Sequence, residues 1–209
     1  MTTPRLLALV SAAGIAAIAI TFGAIIASGS RATAAPAPAA APAPAESTTF
    51  TIDPVHSNVI FKVKHMNASH FYGRFNSTSG SFSLGETADI AVTVKADSVD
   101  TNNTKRNDHA KSPDFLSAKE FPEITFSAKG LAKSGDGSFK GHGDLTFHGV
   151  KKSIEITLTP TGRVSGAKGE LAGVESTFTI KRTDFGVKGM VGPVSDEVTL
   201  TVALEGNAK

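Results

Sequence analysis

The chain has 209 residues, 40% of them hydrophobic and 7% aromatic, with no Cys, no Trp and one Tyr. The absence of Cys excludes disulfides, thiol chemistry and a lipoprotein-type lipid anchor. Arg5 and Arg31 are the only charged side chains before Glu46, so residues 46–209 carry 19 basic and 19 acidic residues. A balanced domain lacks the electrostatic footprint of a nucleic-acid binder, and no nucleic-acid partner is expected.

The first element is LLALVSAAGIAAIAITFGAIIA, Leu6 to Ala27, an uncharged run followed by Ala32-Thr33-Ala34, which has the A-x-A form of a signal-peptidase site. Its 22 residues also suffice to span ~30 Å of hydrocarbon. Residues 1–34 are therefore read as a signal peptide or an N-terminal membrane anchor. Either one places the rest outside the cytoplasm, periplasmic or held at the inner membrane. Residues 35–45, APAPAAAPAPA, form a Pro/Ala-rich linker, because proline removes donors and fixes φ. Residues 46–209 make one domain.

Alternation dominates that domain. Val59, Phe61 and Val63 share one strand face, and Phe71, Gly73 and Phe75 repeat the pattern. Ile90, Val92 and Val94 follow, then Ile124, Phe126 and Ala128. Phe139, Gly141, Gly143, Leu145 and Phe147 face one way on a fifth strand, opposite Lys140, His142, Asp144, Thr146 and His148. Ile154, Ile156 and Leu158 form a sixth, Val174, Ser176, Phe178 and Ile180 a seventh, and Val198, Leu200, Val202 and Leu204 an eighth. Turn residues separate several of these runs, at Gly135-Asp136-Gly137, His148-Gly149 and Pro160-Thr161-Gly162. Eight strands apolar on one face need a shared interior, which an antiparallel barrel supplies while removing exposed edges. A two-sheet sandwich is the alternative. Phe paired with Gly on one face favours the barrel, since large-small alternation suits a tapered or ligand-bearing interior.

The long connection is 98–122. Asn102 or Asn103 caps a short helix over 104–110, and Ser112-Pro113 predicts a second short helical piece, the two lying across one barrel mouth. Arg106, Asp108 and His109 are its candidate polar residues, read as an ion-paired loop at the rim in preference to an acid/base pair. No metalloprotease, nucleophile-elbow, P-loop or dinucleotide motif is present for them to serve. His142 with His148, and His65 with His70, supply only pairs where zinc needs three or four ligands, so no metal site is expected.

Four separated segments resemble the bacterial YceI-like polyisoprenoid-binding family: HSNVIFKVKHMNASHFYGRF, SVDTNNTKRNDHAKSPDFLSAKEFPEITF, GHGDLTFHGVKKSIEI and FTIKRTDFG. The resemblance runs from about Phe50 to Leu204. It implies an all-β, eight-stranded, lipocalin-like antiparallel barrel with a short helical insertion, exported to the periplasm, holding a long isoprenoid in an apolar tunnel. The family's R-D-x-H-L segment falls on Arg106 to Ala110, where Asn107 stands in place of Asp and Ala110 in place of Leu. His56, His65, His109 and His148 match family positions, whereas His70 and His142 do not.

The expected function is noncatalytic binding of an isoprenoid lipid of polyprenyl or quinone type, for transport, storage or sequestration, with no cofactor beyond that ligand. Alternation places Val59, Phe61, Val63, Phe75, Phe126, Leu145, Phe147, Phe178, Ile180 and Leu200 on the tunnel wall. Two alternatives remain open: an enzyme acting on a lipid or quinone head group through Arg106, Asp108 and His109, and a structural stress-response domain with a filled core. Membrane association through the N-terminal segment and a homodimer are also open.

Overall fold

The computed structural model describes residues 47–166 and 169–208. The signal or anchor segment and the linker read from the sequence lie outside the described residues. Strand segments run in chain order as β1 (Thr48–Ile52), β2 (Asn58–His65), β3 (Ser69–Phe75), β4 (Thr78–Leu84), β5 (Thr87–Lys95), β6 (Val99–Asp100), β7 (Glu123–Lys133), β8 (Phe139–Phe147), β9 (Val150–Gly166), β10 (Gly169–Lys181) and β11 (Glu197–Ala208). Helix α1 (Thr104–Lys111) lies between β6 and β7.

All pairings between these strands are antiparallel. The order β1-β4-β5-β7-β8-β9-β10-β11 closes on itself through Phe50, Thr51 and Ile52 opposite Ala208, Asn207 and Gly206, giving a closed eight-stranded barrel. The sandwich alternative is thereby set aside. At the other end of the molecule β2, β3 and β6 extend the sheet from β11, with β2 on β11, β3 on β2 and β6 on β3. β1 with β2, β3 with β4, and β5 with β6 are thus halves of bent strands, broken at residues 53–57, at Asn76-Ser77 and at a 3-10 turn over Ala96–Ser98.

The strand count from sequence was right, but β1 and β4 went unread. TTFTI is short and follows a proline tract, and TSGSFSL looks like a turn because of its serines and Gly80. A second correction concerns Ser112 to Leu116. These residues form successive turns rather than a helix, with the Phe115 N–H donating to the Ser112 carbonyl at 3.1 Å.

The alternation that the sequence shows is the alternation of burial. In β5 Ala88, Ile90, Val92 and Val94 are buried and their neighbours are not. β7 departs from strict period two: Gly130, φ 63°, sits in a register shift, with its N–H on Asp89 Oδ1 at 2.7 Å. That bulge keeps both Ala128 and Leu131 inside although they are an odd number of residues apart. The closed end is packed solid. The rings of Phe50 and Phe82 stack with centroids 5.3 Å apart, among Leu84, Ala88, Leu131, Phe139 and Ala172, all buried.

Candidate functional site: an apolar cavity under a pinned rim

The opposite end is hollow. A cavity of about 300 Å³ is lined by Phe61, Val63, Phe71, Phe75, Ile124, Leu145, Phe147, Ile180, Val198 and Leu200 on the strands. Arg106, His109, Ala110, Phe115 and Leu116 from the insertion and Arg182, Val187, Met190 and Val194 from the β10–β11 connection complete its upper wall. A smaller space of about 60 Å³ lies deeper, bounded by Val59, Phe126, Phe178, Ser176 and Leu204 among others. The two share Ile124, Leu145 and Leu200, which form a waist between them.

All ten residues assigned to the tunnel wall from alternation face one of these spaces. Phe61, Val63, Phe75, Phe147 and Ile180 line the outer, Val59, Phe126 and Phe178 the inner, and Leu145 and Leu200 both. Glycine keeps the lumen open. The Phe61 ring lies where a Cβ on Gly73 would stand, and the Phe126 ring does the same at Gly143. The rings therefore lie along the wall instead of across the barrel. Ser176 is buried, and its Oγ has no hydrogen-bond partner in an otherwise apolar neighbourhood.

The insertion is fixed by its polar residues. Asn103 caps α1 by accepting the Arg106 N–H at 3.0 Å. Arg106 Nη2 donates to the Thr101 carbonyl at 2.5 Å, and its guanidinium lies 4.5 Å over the Phe71 ring. His109 Nε2 lies 3.1 Å from Asp114 Oδ2, with its ring edge-on to Phe115. Asp108 is a correction: it is exposed and lines neither cavity. Arg106, His109 and Ala110 share the inner face at i, i+3 and i+4, which turns Asp108 outward. Asn107 does the tying instead. Its Oδ1 accepts from the Thr101 N–H at 2.7 Å and Oγ1 at 2.6 Å, and its Nδ2 donates to Asp100 at 3.4 Å. The residue that departs from the family's Asp thus does the anchoring through an amide.

Arg182, which the sequence reading did not single out, pins the other side. It is buried within a 3-10 turn, Arg182–Phe185, and donates from Nε to Ser195 O at 2.9 Å, from Nη1 to Val187 O at 3.1 Å and Gly189 O at 2.7 Å, and from Nη2 to Val194 O at 3.0 Å. Burial pulls the guanidinium pKa down, opposed by the charge of Asp196. The Gly189 N–H in turn donates to Asp114 O at 3.0 Å, joining this loop to the insertion.

The histidine pairs read from sequence do not become ligand sets. His148 belongs to the two-residue turn His148-Gly149, φ 51° and 73°, rather than to the polar face of β8, and packs on Phe121 at 4.7 Å. His65 lines the opening, while His70 lies opposite Lys64 on the neighbouring strand. Among the described residues Asp53, His56 and Glu205 do bring donor atoms within 4.8 Å of one another. They lie at the β1–β2 corner and line neither cavity. His56 Nδ1 is 2.8 Å from Asp53 Oδ2 and 3.5 Å from Glu205 Oε1. The hydrogen bond to Asp53 raises the His56 pKa, and the same bond lowers that of Asp53.

Comparison with known proteins places this architecture. The profile of the YceI-like domain matches residues 50–206, three quarters of the chain and nearly all of the barrel. The chain belongs to the YceI-like family. Protein YceI of Escherichia coli O6:H1 is 37% identical over 156 residues, 72% of this chain and 81% of the relative. The solved YCEI protein of Campylobacter jejuni superposes with a TM-score of 0.63 at 31% identity, over 70% of this chain and 90% of that one. A Saccharophagus degradans domain, described as polyisoprenoid-binding and implicated in plant cell wall breakdown, shares the fold with a TM-score of 0.60 at 16% identity, over 78% of this chain and 99% of that one. The YceI-like assignment and the barrel expected from the sequence therefore stand together.

Proposed function

We propose that this YceI-like protein binds a long apolar lipid of isoprenoid type, chain inward, in the cavity beneath the α1 rim, and carries or stores it outside the cytoplasm. The observation behind this reading is the hollow, apolar upper end of a barrel whose lower end is solid. Its outer chamber lies at the lower edge of the ~300–1,000 Å³ usual for ligand sites. Each buried methylene-sized group of a chain contributes about 0.8 kcal/mol, so a few isoprene units suffice for retention. The likeness to a polyisoprenoid-binding domain supports the ligand class, and the uncharged Leu6–Ala27 run supports export.

Binding rather than turnover is the better reading of the rim. Arg106 is engaged with Thr101, His109 with Asp114, and Arg182 with four carbonyls. The two arginines hold backbone carbonyls in place, and His109 pairs with the Asp114 side chain.

Native mass spectrometry of the purified protein, followed by organic extraction, tests the proposal. Wild type is expected to carry or take up a polyprenyl lipid and to return it chemically unchanged. Leu145→Asp places a carboxylate at the waist, where it is costly to bury, and should abolish uptake. A wild type that takes up no polyprenyl lipid, or a Leu145→Asp variant with undiminished uptake, overturns the reading.

A further inference from the structure

The rim of the cavity carries features that binding inside the barrel does not use. The domain's two methionines, Met66 and Met190, stand 60% and 44% exposed, and both hold left-handed backbone, φ 51° and 49°. That region crowds any side chain with a Cβ and suits glycine or asparagine, as at neighbouring Asn67, φ 53°. At Met66 the hairpin turn, closed by the Ala68 N–H on the His65 carbonyl at 3.0 Å, requires this backbone, but folding does not explain a long apolar side chain held in water at either position, and such a choice points to function. Val191, 57% exposed, adjoins Met190.

These side chains belong to one surface. The Met66 N–H donates to Pro193 O at 2.6 Å, His65 and Val191 each bridge to Val194, and His65, Met190 and Val194 line the opening itself. The charge is uneven as well. Segments 62–70, 104–116 and 186–196 hold six basic residues, Lys62, Lys64, Lys105, Arg106, Lys111 and Lys188, against three aspartates, in a domain balanced overall. None of the six takes part in the ion pairs found among the described residues.

We propose that this pole is a docking surface for an anionic lipid bilayer. Met66, Met190 and Val191 enter the boundary between head groups and acyl chains, the lysines meet lipid phosphates, and the cavity opens directly onto the membrane. An exposed apolar tip ringed by positive charge is the combination that binds such an interface reversibly. A chain-like ligand then passes between bilayer and barrel without crossing water. The proposal rests on the reading of the cavity as a lipid site, and the test separates the two.

The barrel can be tested by itself. It closes its own ring of strands and core, and the solved S. degradans relative is, over 99% of its length, this domain alone. Using residues 47–209 removes Leu6–Ala27 as a competing membrane anchor. Cosedimentation is measured with phosphatidylcholine vesicles and with vesicles containing about one-third phosphatidylglycerol. The barrel should bind the anionic vesicles at least ~10-fold more tightly than the neutral ones, and added salt should weaken it. Met66→Asp with Val191→Asp, and separately Lys64→Glu with Lys188→Glu, should each lower binding about 10-fold or more. Lys140→Glu, near the closed end, should not. None of the four substituted rim residues lines the cavity, so the extracted lipid should stay at the wild-type level in every variant. Aspartate tolerates the left-handed backbone at position 66 better than methionine, so loss of binding there is not loss of fold.

Equal sedimentation with both vesicle types, none with either, or rim variants that bind like wild type would overturn docking and leave the cavity reading intact. So would rim variants that separate a dimer while vesicle behaviour is unchanged, which would assign this face to a second copy of the chain. A barrel that docks and loses docking in the rim variants, yet takes up no polyprenyl lipid, supports the surface and overturns the cavity.

Discussion

The two ends of the barrel share strands and the same period-two alternation, yet one is solid and the other hollow. At the closed end Phe50 and Phe82, opposite each other on the neighbouring strands β1 and β4, stack over Gly206, where a Cβ would clash with both. At the open end glycines on the wall let rings lie flat, Phe61 against Gly73 and Phe126 against Gly143, and the lumen stays empty. Rings lie over glycine at both ends, so the difference is in what fills the lumen beside them: the buried cluster of Leu84, Leu131 and Phe139 at the plug and a cavity at the other end. Polar residues then hold the open end open. Arg182 and Asn107 tie loops to the barrel through bonds that an apolar collapse would break.

One residue type should therefore behave differently at the two ends. Phe82→Ala removes a fully buried ring from the plug and should cost about 3–5 kcal/mol in chemical denaturation, with lipid binding per folded molecule unchanged. Phe147→Ala, at the wall of an existing cavity, should cost about 1–2 kcal/mol and reduce retained lipid. Equal costs would mean that the upper end is packed as tightly as the lower.

The two wall glycines sharpen the comparison at smaller energies. Gly143→Ala would drive a Cβ against the Ser127 carbonyl and Ala128 as well as the Phe126 ring, so backbone must move, at about 1–3 kcal/mol. At Gly73 the three atoms nearest a Cβ all belong to the Phe61 ring, and that ring has a cavity to swing into. Gly73→Ala should change stability by less than about 1 kcal/mol while lowering lipid capacity several-fold. Thermal melts together with lipid extraction from both variants decide this. Undiminished capacity in Gly73→Ala would show that the ring does not occupy the ligand's path.

The smallest effect belongs to the corner that joins the halves. His56 has a raised pKa, so its contribution is complete below the ordinary histidine value of 6.5 and is lost as pH rises through the higher folded value. Asp53 has a lowered pKa, so its contribution is present above the ordinary 3.8 and is lost as pH falls through the lower folded value. His56→Ala should therefore lower stability slightly at about pH 5–6 and leave it unchanged at about pH 9. Denaturation midpoints at both pH values test this. A uniform loss would mean that the ring matters only through packing.

The strand faces were legible because period two is written in single residues, which is why all ten wall positions face a cavity. What the alternation could not show is where a strand bends, so β1 and β4 were missed although β2 and β3 were found. Asp108 was misplaced because one helical step turns a side chain by about 100°. The true tie, Asn107, depends on Thr101, which a helical wheel does not include. Arg182 gave no local signal. A basic residue after a strand ordinarily points to water, and its inward turn follows from four carbonyls that the β10–β11 loop brings together.

Photo-crosslinking of a diazirine-bearing polyprenyl lipid, with adducts mapped by mass spectrometry, tests the division into plug and container most directly. The account predicts saturable adducts on the outer chamber and waist, at Phe61, Leu145, Phe147 and Leu200, and none at Phe82, Leu131 or Phe139. Adducts at those plug residues, or labelling of the outer surface alone, would contradict it.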